Sequence, residues 1–136
     1  MAQRSREIAS HIRRILDGVG AGAAKRALVE IGGPAVEPIL QAATGKHGKM
    51  HPDQHEVAMD DFIAVLVRIA KVKPAALAAA LAHHVPGEHL AAYALGHSRS
   101  RHARQVLEQL RNDEDNGLRA VAEHHLQRHK RRRPAR

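Results

Sequence analysis

Residues 27–43 read ALVEIGGPAVEPILQAA, and the way this run divides decides the fold. Ala27, Leu28 and Ile31 fall at helical spacing and end at Gly32-Gly33, a pair that stops a helix because glycine loses most backbone freedom there and tolerates the turn that follows. Pro34 then opens a second apolar run through Val36, Ile39, Leu40 and Ala43. Proline is pre-organised for a first helical turn, and Pro38 falls early enough in the run for its missing N–H to cost little. The reading is therefore helix, tight turn, helix.

The same grammar recurs outward from this point. VLVRIAKVKPAALAAAL (65–81) and AAYALGHSRSRHARQVLEQL (91–110) each end an apolar helix, turn, and start another; DEDNGLRAVAEHHL (113–126) begins a fourth, truncated copy. The anchors Ile31, Ile69, Leu95 and Leu126 are unevenly spaced, so the pattern persists while its period does not. Ile8, Ile12, Ile15 and Leu16 predict a helix over 5–17 capped by Ser5. The most apolar helix is expected from about Gln54 to Ala70, through Met59, Phe62, Ile63, Leu66 and Ile69, with Val65 and Val67 outside that stripe. Ser98 or Ser100 is expected to cap the helix carrying Ala103 and Leu107, and Asp115 the last one. Alternation of period two is nowhere sustained. The chain reads as all-α, with about eight short helices in antiparallel hairpins.

Charge and composition narrow the function. Of 22 Lys and Arg, six lie in residues 128–136 with no acid among them, which leaves 16 basic against 14 acidic residues in the rest of the chain. Arg128, Lys130, Arg131, Arg132 and Arg133 are thus the candidate nucleic-acid contacts, on a tail expected to fray or be disordered. Phe62 and Tyr93 are the only Phe, Tyr or Trp residues, so the body lacks the aromatic platforms on which single strands stack. Basic side chains at Arg13, Arg14, Lys25 and Arg26 remain candidates for a spatial group. Cysteine is absent, which excludes disulfides and thiolate chemistry. The N-terminal segment carries Glu7 and Asp17 and no apolar core of a signal peptide. A cytoplasmic protein without membrane segments is expected.

Candidate chemistry concentrates in GKHGKMHPDQHE (45–56). His47, His51, His55 and Glu56 are the candidate metal ligands, imidazole being suited to zinc, copper, iron or nickel. Gly45, Gly48 and Pro52 oppose the continuous helix that would align them. The competing reading makes Asp53 the N-cap and Glu56 its partner in a D-x-x-E capping box. The adjacent pairs His83-His84 and His124-His125 point about 100° apart on a helix and chelate poorly together; a favourable place near a helix C-terminus or a solvated face is expected for them. Ser residues sit at cap-like places without a G-x-S-x-G elbow, and GVGAGAAKRA (18–27) lacks the G-K-S/T ending of a phosphate loop.

Taken together, EIGGPAVEPILQAA, EHLAAYALGHS and DNGLRAVAEHHL resemble HEAT-like repeats of the phycobilisome-lyase type, in which an A helix, a short turn and a B helix recur. The resemblance spans about residues 19–126, with residues 1–18 as an N-terminal capping helix and 128–136 as the tail; Ala70 and Lys71 depart from the expected Gly and Asp. It implies a short α-solenoid that binds another protein through B helices and inter-repeat loops, without catalysis or cofactor. On that surface the residues expected to matter are Arg99, Arg101, His102, Arg104 and Glu108. The alternative is a nucleic-acid accessory protein using the tail. Deoxyhypusine hydroxylase, built of similar repeats with a di-iron centre on His-Glu pairs, supplies a remote alternative: His55-Glu56 looks like one such pair, but Glu88-His89 is reversed and Glu123-His124 comes late in its helix.

Overall fold

The computed structural model describes residues 2–45, 50–83 and 87–131. Eight α-helices account for most of them: α1 (Ala2–Asp17), α2 (Ala21–Ile31), α3 (Gly33–Thr44), α4 (Pro52–Val72), α5 (Pro74–Ala82), α6 (Glu88–Leu95), α7 (Arg101–Leu110) and α8 (Asn116–Arg131). No strand occurs among the described residues. Helices α2, α4, α6 and α8 stack side by side in one layer and α1, α3, α5 and α7 in the other, while consecutive helices touch across the layers. Among the described residues only α1 with α4 and α3 with α6 meet as diagonals, and no helix touches one more than three places away in the chain. Contacts therefore propagate from neighbour to neighbour, as in a stack.

The opening stretch folds as its breakers require. Gly32 joins α2 to α3 at φ 71°, ψ −123°, a region open to glycine and strained for residues with a Cβ. Its N–H caps α2 on the Leu28 carbonyl at 3.0 Å. Pro34 occupies the first turn of α3 and Pro38 lies inside it. Leu28, Ala35, Val36, Ile39 and Leu40 are buried, so both halves of the hairpin face the core.

Helix α4 is the central element, touching α1, α2, α3, α5 and α6. Ala58, Phe62, Val65, Leu66, Ile69 and Ala70 are buried along it, while Ile63 and Met59 are half-buried. The stripe expected from sequence thus shifts toward Val65, because α4 packs on several sides and Val65 faces a neighbour rather than solvent.

Three boundaries differ from expectation. Ser5 does not cap α1, which starts at Ala2: Ala2, Gln3 and Arg4 favour helix, so nothing stops the first turn from extending. Asp53 does not cap α4. The N-cap is His51, whose Nδ1 accepts the Asp53 N–H at 3.1 Å, and Pro52 takes the first helical position. A residue before proline is driven out of the helical region, and His51 sits at φ −62°, ψ 139°. Helix α6 ends at Leu95, and Gly96 follows it in right-handed conformation at φ −61°, ψ −17°. Helix α8 runs on through Arg131, so the start of the segment expected to fray is helical; Arg132 and Arg133 lie outside the described residues.

Candidate functional site

The turn from α6 into α7 is built by two serines. Ser98, 2% exposed, accepts the Ser100 N–H at 3.3 Å and donates to the Ser100 hydroxyl at 3.2 Å; Ser100 Oγ in turn accepts the Ala103 N–H at 3.0 Å. Ser100 is therefore the N-cap, and a buried hydroxyl network fixes where α7 begins. Ala103 and Leu107 anchor its inner face. Residues two apart point about 200° apart around a helix, which separates the predicted group into parts. Arg99 in the turn and Arg101 and Glu108 on α7 are exposed, with Arg101 and Glu108 opposite the buried face. Arg104 lies on one flank, its Nε 3.8 Å from Glu108 Oε1, an ion pair too long for a hydrogen bond. His102 lies on the other flank. Arg99, Arg101, Arg104 and Glu108 can meet one partner; His102 does not share their face.

Beside this turn lies a group that sequence reasoning missed. Tyr93, His97 and His125 meet edge to face, with ring centroids 5.0, 5.3 and 5.4 Å apart. His97 Nδ1 is 3.1 Å from the Tyr93 carbonyl, which can only accept, so Nδ1 carries the proton. His125 is 2% exposed, contrary to the solvated face expected for the His124-His125 pair. It is buried because α8 lays it over Gly96, where any Cβ would stand 2.1 Å from His125 Cγ. A glycine three residues after a tyrosine and beside a histidine was the available signal, and it is weak, since the burial depends on a helix about 30 residues further along.

The histidine loop divides likewise. His51 Nδ1 is engaged as the cap of α4; His55 and Glu56 are exposed in its first turns; His47 lies outside the described residues. Among the described residues no group of three or more His, Asp or Glu side chains is placed to hold a metal ion. His51→Ala is expected to lower stability by about 0.5–1 kcal/mol through loss of the cap. Thermal melts with and without zinc check this: the cap predicts the same loss in both, whereas a zinc-dependent rise in melting temperature abolished by the substitution would restore His51 as a ligand.

Glu88-His89, the reversed pair, has a structural partner instead. His89 Nε2 is 3.0 Å from Asp115 Oδ1, joining α6 to the start of α8, and the same oxygen accepts the N–H groups of Gly117 at 2.8 Å and Leu118 at 3.1 Å. Asp115 is thus the expected N-cap with an added brace. The hydrogen bond from His89, then those from the backbone, hold its carboxyl below the usual value of 3.8. A depressed folded pKa stabilises above the unfolded pKa and is lost as pH falls through the folded one. Asp115→Asn, which keeps a capping side chain, is therefore expected to flatten the stability loss below about pH 4, checked by urea melts from pH 6 to pH 2.5.

The basic candidates are partly neutralised. Arg13 Nε lies 3.4 Å from Asp17, and Lys25 reaches Asp61 at 3.0 Å to tie α2 to α4. Arg128 is half-buried near the end of α8. Lys130 and Arg131 continue the helix. No helix is long and apolar enough to cross a membrane among the described residues. No protein-family model matches the chain, and neither the curated proteins nor the solved structures include one that matches it.

Proposed function

We propose that the chain is a HEAT-like helical-repeat adaptor, without catalytic activity or cofactor, that binds a protein partner through the layer formed by α1, α3, α5 and α7 and the turns beside it. The observation that carries the reading is the neighbour-to-neighbour stacking of helices in two layers, which leaves the outer face of α7 carrying Arg101 and Glu108 with Arg99 at its entry. Such an architecture gives each helix a fixed inner face and frees the outer one for recognition. Arginine at the rim of an interface steers association and sets specificity more than it adds affinity.

Pull-down with crosslinking tests this. Arg99→Glu/Arg101→Glu is expected to retain the fold and to reduce recovery of a stoichiometric protein partner by about tenfold or more. Equal recovery by the variant would remove the α7 face from the interface. With generic DNA or RNA at physiological salt, no tight complex is expected. A shift that weakens steeply with salt and disappears on deletion of residues 128–136 would instead favour the nucleic-acid reading.

A further inference from the structure

The same layer contains an opening at its other end. A groove of about 600 Å³ runs between α1 and α3, open along one side, with Ala9 and Ala42 and the rings of Pro34 and Pro38 among its lining and Arg4 and Arg13 at α1. Among the described residues no carboxylate lines it. The α1 residues that line it run from Arg4 to Leu16, about 18 Å of helix, which matches roughly three turns of a second helix laid alongside. Ala9 on α1 and Ala42 on α3 leave room for larger side chains to enter, and Pro38, having no N–H, leaves the Pro34 carbonyl without its i→i−4 bond.

We propose that this groove seats an acidic amphipathic helix of a partner protein, with apolar side chains between Ala9, Pro38 and Ala42 and carboxylates at Arg4 and Arg13. The proposal rests on reading this layer as a protein-binding face. Charge decides the occupant. The two arginines stand nine positions apart, about 13 Å along α1, and both are exposed, Arg13 at 75% of its side chain. The Arg13 contact with Asp17 is made through Nε and lies in solvent, so it leaves the charge at the rim. A second copy would present the same basic α1, and the chain's own Arg-rich C-terminus has the wrong sign. A partner segment with an apolar stripe flanked by Asp or Glu satisfies both the lining and the rim.

A display library of 16-residue helical peptides, with one fixed leucine stripe and randomised flanking positions, tests the groove against the full chain. Selection is expected to enrich Asp and Glu at flanking positions. The selected peptides should bind Arg4→Glu/Arg13→Glu at least about fivefold more weakly by fluorescence anisotropy, and that gap should narrow as salt is raised. Ala9→Trp, which fills the groove from an exposed position, should abolish binding while circular dichroism stays unchanged. Neutral or basic winners, no enrichment, or binding indifferent to both variants would overturn the proposal. Peptides weakened by Arg99→Glu/Arg101→Glu alone would also overturn it, yet would leave the wider reading of the layer standing.

Discussion

Gly96→Ala is expected to destabilise the chain by about 3 kcal/mol, the opposite of what its backbone alone would suggest. Gly96 sits at φ −61°, ψ −17°, where alanine is comfortable. An alanine replacing a glycine in helical conformation normally gains about 1 kcal/mol. Here the added methyl would meet His125 Cγ at 2.1 Å, Nδ1 at 2.3 Å and Cδ2 at 2.4 Å, distances that no rotation of the methyl relieves. The clash falls on the ring of a 2% exposed side chain hemmed in by Tyr93, His97 and His124. Either α8 lifts from α6 or the ring leaves its site, and both surrender packing between two neighbouring helices of one layer. Urea denaturation checks the loss. The double substitution Gly96→Ala/His125→Ala should be less destabilised than the sum of the two single changes, because the clash and the cavity occupy one place. Strict additivity would show that Gly96 and His125 do not share a contact.

This pair also marks where sequence reading succeeded and where it stopped. The hairpin at Ala27–Ala43 was legible because Gly32, Gly33 and Pro34 act locally: each restricts its own backbone whatever surrounds it. Asp115 was legible for the same reason, and Ser100 to within the pair Ser98 and Ser100, since an N-cap reaches only two or three residues ahead. His51 was misread although Pro52 pointed to it, because serine, threonine, asparagine and aspartate dominate expectations for a cap and Asp53 stood two residues away. The remaining errors are non-local. His89 and Asp115 are 26 residues apart, and His125 sits on Gly96 through the packing of α8 on α6. No periodicity within a single helix records such a contact. The groove between α1 and α3 depends similarly on how two helices diverge over a shared core. The arginines at α7 were identifiable as a charged run, yet the separation of His102 from them followed only from where Ala103 and Leu107 anchored the helix.

Phe62→Ala is expected to cost about 3–5 kcal/mol, enough to leave a domain of ordinary stability, about 5–15 kcal/mol, close to unfolding. Phe62 is fully buried near the middle of α4, and the helix that carries it contacts five others. Removing the ring loses its transfer free energy and leaves a cavity, and the neighbours that would have to collapse into it, Leu66 and Ile69, are already fixed in the same core. Tyr93, the other aromatic residue, is 39% exposed, and Tyr93→Ala should cost far less. Position in the stack makes the contrast sharper. In a chain whose helices touch only near neighbours, damage at an end frays locally, whereas damage at α4 weakens the junctions to both sides at once. Phe62→Ala should therefore lower the whole unfolding transition in urea, and hydrogen exchange should accelerate in α2 and α6 as well as in α4. A loss below about 1 kcal/mol would show that the core does not close around this ring. Faster exchange confined to α4 would show that its neighbours in the layer are not coupled through it, and would weaken the case for a stacked repeat on which the proposed binding face depends.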